Sequence, residues 1–284
     1  MNKLAKKNSD YTNPDEKNAI FDRREINSFD ELIAELQKLD QKGVYFRGQQ
    51  SALWKIVSSA RRAHDKLCHE NDCNCYYNTA ANLLRSVKRK LGVNTCDQKT
   101  NDFALLSLFQ HYGITTPLID FSRCYKVALY FATNNIDADT VHKQPAGMFS
   151  IYAFDTCKVN SCYCNDWVNL KNLVQNPGPD FYEYNLAKKV SCIYLEETTP
   201  EFIYIDNKRL NRQLGLFVHL GEDSKNLSLE EYCNKGKNEL AECGQTDSLL
   251  LPSIINIDVP LTLSDQVKQH LDSCDINAKT LGLL

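Results

Sequence analysis

Between Gln110 and Thr133 the chain reads QHYGITTPLIDFSRCYKVALYFAT, and no other stretch restricts the fold as tightly. Gln110, His111, Thr116, Asp120, Ser122 and Arg123 are polar, yet apolar residues flank them on both sides. Polar groups in such surroundings must find partners or face a pocket, so this segment is expected to line the functional site. Leu105, Leu106, Phe109 and Tyr112 recur at helical spacing, and Gly113 stops that helix. Thr116-Pro117 then requires extended backbone, because a residue before proline avoids the α region. Leu118 and Ile119 make a short buried stretch ending at Asp120. The run from Val127 to Ala132 is apolar on every side, which marks a central helix. The order is helix, turn, short strand, buried helix.

The rest of the chain supplies what these elements pack against. Ser28-Phe29-Asp30-Glu31 has the S-x-x-E form of a capping box and opens a helix carrying Leu32, Ile33, Leu36 and Leu39. Val44-Tyr45-Phe46 reads as a strand running into Arg47-Gly48-Gln49. An arginine at a strand end, beside a glycine that permits close approach, can hold an anion; a salt bridge to a nearby carboxylate is the competing reading. A basic helix is predicted over 77–91. Strands are predicted at 147–154, 190–195, 202–205, 210–220 and 254–259, with a final helix capped by Ser264. Residues 155–180 and 221–248 read as insertions, the latter a polar surface excursion with a short helix near 229–233. Residues 1–24 read as a disordered polar tail, and 25–284 as one domain. The expected class is α+β: a single mixed domain with a central, mainly antiparallel sheet and surrounding helices.

A net charge of −3 over 284 residues argues against non-specific nucleic-acid binding as the main activity. Arg61, Arg62, Arg85, Lys88, Arg89 and Lys90 keep a local basic surface in view. No apolar run is long enough for a membrane span, and the N-terminus has no apolar core of a secretory signal, so a cytoplasmic, reducing setting is expected. The twelve cysteines are then expected as free thiols. Cys73/Cys75 and Cys162/Cys164 are spaced C-x-C, which misses the spacing of structural zinc sites, and no metal is expected.

Several blocks carry a family resemblance. Val44-Tyr45-Phe46-Arg47-Gly48-Gln49 with Trp54 resembles the opening of the FRG domain, named for its Phe-Arg-Gly motif. Gln110-His111-Tyr112-Gly113, Thr116-Pro117-Leu118-Ile119-Asp120-Phe121-Ser122 and Ala128-Leu129-Tyr130-Phe131-Ala132 resemble its central signature. Arg209 to Phe217 is similar to its third block, and the ending from Ile254 to Leu283 fits as well. Departures are the extra Arg123 beside the motif and the expanded 155–180 and 221–248. A second, more distant resemblance is to ADP-ribosyltransferases of the Arg–Ser–Glu kind. It implies an ADP-ribosyltransferase-like fold and NAD as substrate. Arg47 would anchor the dinucleotide with Gly48, Gln49 and Thr116, Ser122 and Asp120 would orient the nicotinamide ribose, and His111 would act as general base.

The third position of that pattern falls on Gln213 instead of an acid. Nicotinamide departure leaves oxocarbenium character that a fixed carboxylate stabilises; Gln213 can bond a ribose hydroxyl but supplies no charge. Core roles compete at each position: a hydrogen-bonded core histidine at 111, a helix N-cap at Asp120, a buried amide network at Gln213. P-loop, G-x-G-x-x-G, H-E-x-x-H and G-x-S-x-G motifs are absent, and cysteine-protease chemistry would need Cys124 with His111 or His219. Three readings result: an NAD-consuming enzyme, transferase or glycohydrolase, with a protein as possible acceptor; a non-catalytic nucleotide- or protein-binding module; and, last, a nucleic-acid-associated protein.

Overall fold

The computed structural model describes residues 10–62, 106, 109–110, 112–137, 147–155, 167–169, 192–196, 212–220, 228–231 and 254–283. Its centre is one eight-stranded sheet. The strands are β1 (Asp22–Glu25), β2 (Val44–Gln49), β3 (Leu118–Ser122), β4 (Met148–Asp155), β5 (Trp167–Asn169), β6 (Cys192–Glu196), β7 (Gly215–Leu220) and β8 (Ile254–Pro260). They lie in the order β1-β8-β4-β2-β3-β7-β6-β5. The outer pairs β1/β8 and β5/β6 are parallel and every other pair is antiparallel. Helices α1 (Phe29–Leu39), α2 (Tyr125–Thr133) and α3 (Ser264–Ser273) accompany it. The chain forms a single α+β domain with a mixed, mainly antiparallel sheet.

Strand alternation sorts the core into two clusters. Phe46, Phe149, Ile151, Ala153, Ile257 and Val259 pack with Leu32 and Leu36 of α1, Ala128, Leu129 and Ala132 of α2, and Val267 and Leu271 of α3. Their neighbours one residue along, Tyr45, Tyr152, Phe154 and Ile254, join Ile119, Phe121, Leu216 and Val218 in the other cluster, with Tyr11, Phe21, Ile56 and Leu229 over them. That is the two-residue period of a sheet buried on both faces. Helix α1 begins as its capping box requires, Ser28 Oγ accepting from the Glu31 N–H at 3.3 Å.

Three expectations are corrected. Residues 10–24 are not a tail. A 3-10 turn spans Pro14–Ala19, β1 follows, and Tyr11, Lys17 and Phe21 are buried. The anchors are distant in sequence, which hides them from a local reading: β1 pairs with β8, and Tyr11 N donates to the Leu53 carbonyl at 2.7 Å. The stretch 155–180, expected as mostly loop or insertion, holds the three-residue strand β5, which leaves that expectation standing. The excursion at 221–248 is not all surface, for Ser228, Leu229 and Glu230 are buried. Ser264 is the first residue of α3 and makes no cap; Leu263 holds that position. The predicted helix at 77–91, the strand at 202–205 and residues 1–9 lie outside the described residues.

Candidate functional site

Among the described residues the sheet has one weak seam. β4 keeps register with β8 from Met148/Pro260 to Phe154/Ile254, and with β2 from Val44/Asp155 to Gln49/Ser150. β2 and β3 meet at a single pair, Phe46 with Ser122. A continued ladder would set Arg47 opposite Phe121 and Gly48 opposite Asp120, and neither pair is made. The Arg47 side chain takes over instead, Nη1 donating to the Asp120 carbonyl at 2.7 Å. A guanidinium thus satisfies a strand-edge acceptor that a backbone N–H would otherwise meet.

Helix α2 fixes the other side of this seam. A Cβ on Gly48 would stand 1.8 Å from the Ala128 carbonyl oxygen and 2.8 Å from the Ala132 nitrogen. The glycine is there because the helix backbone occupies its flank. Ser122 closes the turn into α2: its Oγ accepts from the Cys124 N–H at 3.0 Å and donates to the Gln213 carbonyl at 2.7 Å. Arg123 N donates to the Leu214 carbonyl at 2.9 Å, and Leu214 sits at φ 47°. Gln213 Nε2 reaches away to the Leu281 carbonyl, 3.2 Å.

Around Arg47 the polar groups of the opening segment are tied together. Gln110 Nε2 donates to Asp120 Oδ1, and Thr116 Oγ1 donates to Gln110 Oε1. Thr116 N donates to Ser59 Oγ at 3.0 Å, and its carbonyl accepts from Ala60 N, also at 3.0 Å. Those bonds hold the short helical turn that carries Arg62, whose Nη1 donates to the Val57 carbonyl at 2.8 Å. Removal from water pushes the Arg47 guanidinium down to about 10; Asp120 opposes this and the like charge of Arg62 adds to it. Burial lowers Arg62 too, against the pull of Asp120 and Asp10.

The face of β2 that carries Arg47 is unusually polar for a core. Arg47 Nε, Gln49 Oε1 and Asn256 Oδ1 are buried without a hydrogen-bond partner. Lys17, fully buried, donates to Asp258 Oδ1 and to Ser150 Oγ, each at 3.0 Å, with its ammonium 5.3 Å from the Tyr152 ring centre. Asp258 also takes Arg23 Nε at 2.6 Å, Ser150 Oγ at 2.5 Å and Asn256 Nδ2 at 3.1 Å. Burial lowers the Lys17 pKa more than Asp258 raises it. Glu230 accepts from Tyr11 Oη at 3.0 Å and from Ile56 N at 3.0 and 3.1 Å, and burial raises its carboxyl above the usual range.

Of the residues singled out from sequence, Arg47, Asp120, Ser122 and Thr116 gather at the β2–β3 seam. Gln213 joins through its carbonyl and not its amide. At Gly48, α2 fills the flank where a side chain would stand, so helix packing accounts for the glycine. Asp120 is not an N-cap: it stands in β3, and Cys124 holds the cap position of α2. His111, the His219 side chain and the basic residues Arg85, Lys88, Arg89 and Lys90 lie outside the described residues, as do Cys73, Cys75, Cys162 and Cys164. Among the described residues no group of three metal-ligating side chains occurs, and no helix is long and apolar enough to cross a membrane. Sequence reasoning missed Lys17 and Glu230. A signal existed for the second: Ser228-Leu229-Glu230-Glu231 is a capping box, Ser228 Oγ accepting from Glu231 N at 3.2 Å while Ser228 N donates to Glu231 Oε2 at 2.9 Å.

Residues 42–140 match the family model of the FRG domain. No curated protein and no solved structure matches the chain.

Proposed function

We propose that this chain, which carries an FRG domain, binds a nucleotide-type anionic ligand at the β2–β3 seam with Arg47 as anchor, NAD being the first candidate. The observation that carries this reading is the incomplete satisfaction of the Arg47 guanidinium. One of its N–H groups is engaged by the Asp120 carbonyl while the buried Nε has no partner. An unmet charged donor inside a protein is costly, and a phosphate or carboxylate oxygen would meet it with a charge-assisted bond. Gln213 supplies no carboxylate, which favours binding over turnover.

Calorimetry of the full chain with NAD and ADP-ribose tests the reading. Micromolar binding is expected, and Arg47→Ala should weaken it by about 2 kcal/mol or more. Affinity should hold through neutral pH and fall as pH approaches about 10, where Arg47 loses its charge. Absence of binding by folded protein would sink the proposal.

Turnover of NAD is the second reading, favoured by the exposed Asp120 beside Arg47, a carboxylate that Gln110 holds in place. It stands only if nicotinamide is released above a protein-free blank.

A further inference from the structure

Gln49 shares the Arg47 face of β2 and lies two residues further along, about 7 Å by strand geometry. Its side-chain nitrogen is accounted for, Nε2 donating to the Lys55 carbonyl at 3.3 Å. Its oxygen is not: Oε1 is buried without a partner, in a residue only 4% exposed. Arg47 Nε is the unmet donor and Gln49 Oε1 the unmet acceptor. A fully ionised anion cannot serve both: its oxygens, like those of a dinucleotide's pyrophosphate diester, accept from a guanidinium but offer no proton to an amide oxygen, and a free phosphate could do so only in its protonated fraction. A ligand that meets the pair carries an anionic group and, close enough to be reached by two side chains that leave the strand about 7 Å apart, a hydroxyl or N–H that donates.

Resting on the binding role just given to Arg47, we infer that Gln49 is a specificity-determining residue that reads a sugar hydroxyl next to the anion. The ligand class is therefore a sugar phosphate of the ribosyl-phosphate type and not a free polyphosphate. The orientation of Gln49 supports this. With Nε2 fixed on the Lys55 carbonyl, the oxygen cannot be exchanged for the nitrogen without breaking that bond, so the position accepts and does not donate. Tyr152, the register neighbour of Arg47 on β4, is fully buried, and its hydroxyl is directed to the Trp54 carbonyl at 3.4 Å. It leaves the acceptor of Gln49 unmet.

Calorimetry of the full chain compares ADP-ribose with inorganic pyrophosphate, in wild type and in Gln49→Met, which keeps the length of the side chain and removes its acceptor. Wild type should prefer ADP-ribose. The methionine variant should lose about tenfold for ADP-ribose, the worth of one hydrogen bond of about 1.4 kcal/mol, with pyrophosphate affinity unchanged within twofold. Should that variant prove unfolded by thermal melting, Gln49→Glu replaces it: the acceptor is retained, both ligands weaken through charge repulsion, and the preference for ADP-ribose persists. Equal loss for both ligands in Gln49→Met, no loss for either, or a preference abolished in Gln49→Glu overturns the role of Gln49 while leaving the anion site standing. Failure of wild type to bind ADP-ribose and pyrophosphate alike overturns both.

Discussion

The strands β1-β8-β4-β2 and the strands β3-β7-β6-β5 share one sheet but are stabilised by different means. In the first half a long antiparallel ladder is covered on one face by α1, α2 and α3. On its other face runs a buried ionic network, where Asp258 gathers Lys17, Arg23, Ser150 and Asn256. In the second half, among the described residues, β3 and β7 contribute apolar side chains to the opposite cluster, and no comparable buried ion pair occurs. The halves meet at Phe46/Ser122 and through the Arg47 side chain. A buried ion network stiffens its surroundings as far as its charges are met, and here both carboxylate oxygens of Asp258 are engaged although Asn256 Oδ1 is not. The first half thus has the properties of a frame, and the functional groups stand where the second half is joined to it.

Three substitutions break or sharpen this contrast. The largest effect is expected from Gly48→Ala, because its Cβ would meet helix backbone at 1.8 Å and the helix cannot yield by a side-chain rotation. A loss of about 3 kcal/mol or more is expected from such overpacking, read as a lowered midpoint in urea unfolding. A midpoint within error of wild type would mean that α2 does not seat on β2 as described. Next comes Asp258→Ala, which leaves Lys17 and Arg23 without their shared carboxylate. Breaking a buried pair this way costs about 3 kcal/mol here, the low end for such pairs, because Arg23 keeps Asp15 and Glu25. Hydrogen exchange should accelerate first in β1 and β8, with β7 least affected; uniform acceleration across both halves would erase the distinction between them.

The smallest effect is a change of slope. Burial raises the Glu230 pKa in the folded chain. Its favourable contribution is therefore complete below the ordinary carboxylate value and is lost as pH rises through the raised folded value. Glu230→Gln removes that dependence, so melting temperatures of variant and wild type should shift in the variant's favour between pH 4 and pH 8. A difference that stays constant with pH would show that Glu230 ionises in the folded chain as it does in water.

How much of this was legible in sequence follows the range of the interactions involved. Ser28, the run Val44-Tyr45-Phe46, and the apolar run ahead of Thr133 are local patterns, and the elements they predict are present. Arg47-Gly48 was correctly singled out as a place of close approach. The approaching body is α2, which sequence spacing could not reveal because the helix lies 80 residues downstream of the glycine. Asp120 illustrates an ambiguity of pattern. A polar residue after two apolar ones and before a helix fits a cap or a strand end equally well, and pairing with Phe217 of β7 decides for the strand. Lys17 and Glu230 each sit in a polar local sequence that looks solvated. Their burial comes from partners more than 130 residues away, Ser150 and Asp258 for one and Ile56 and Tyr11 for the other.

The bond from Arg47 to the Asp120 carbonyl has a further consequence for recognition. A mobile surface arginine surrenders about 2 kcal/mol of rotamer freedom when it engages a partner. Arg47 has already lost that freedom on folding, because β3 holds one arm of its fork while the buried Nε stays unmet. Preorganisation of this kind appears mainly as slow dissociation. The same geometry links two events: any ligand that drew Nη1 from the carbonyl would loosen the seam at the moment of capture.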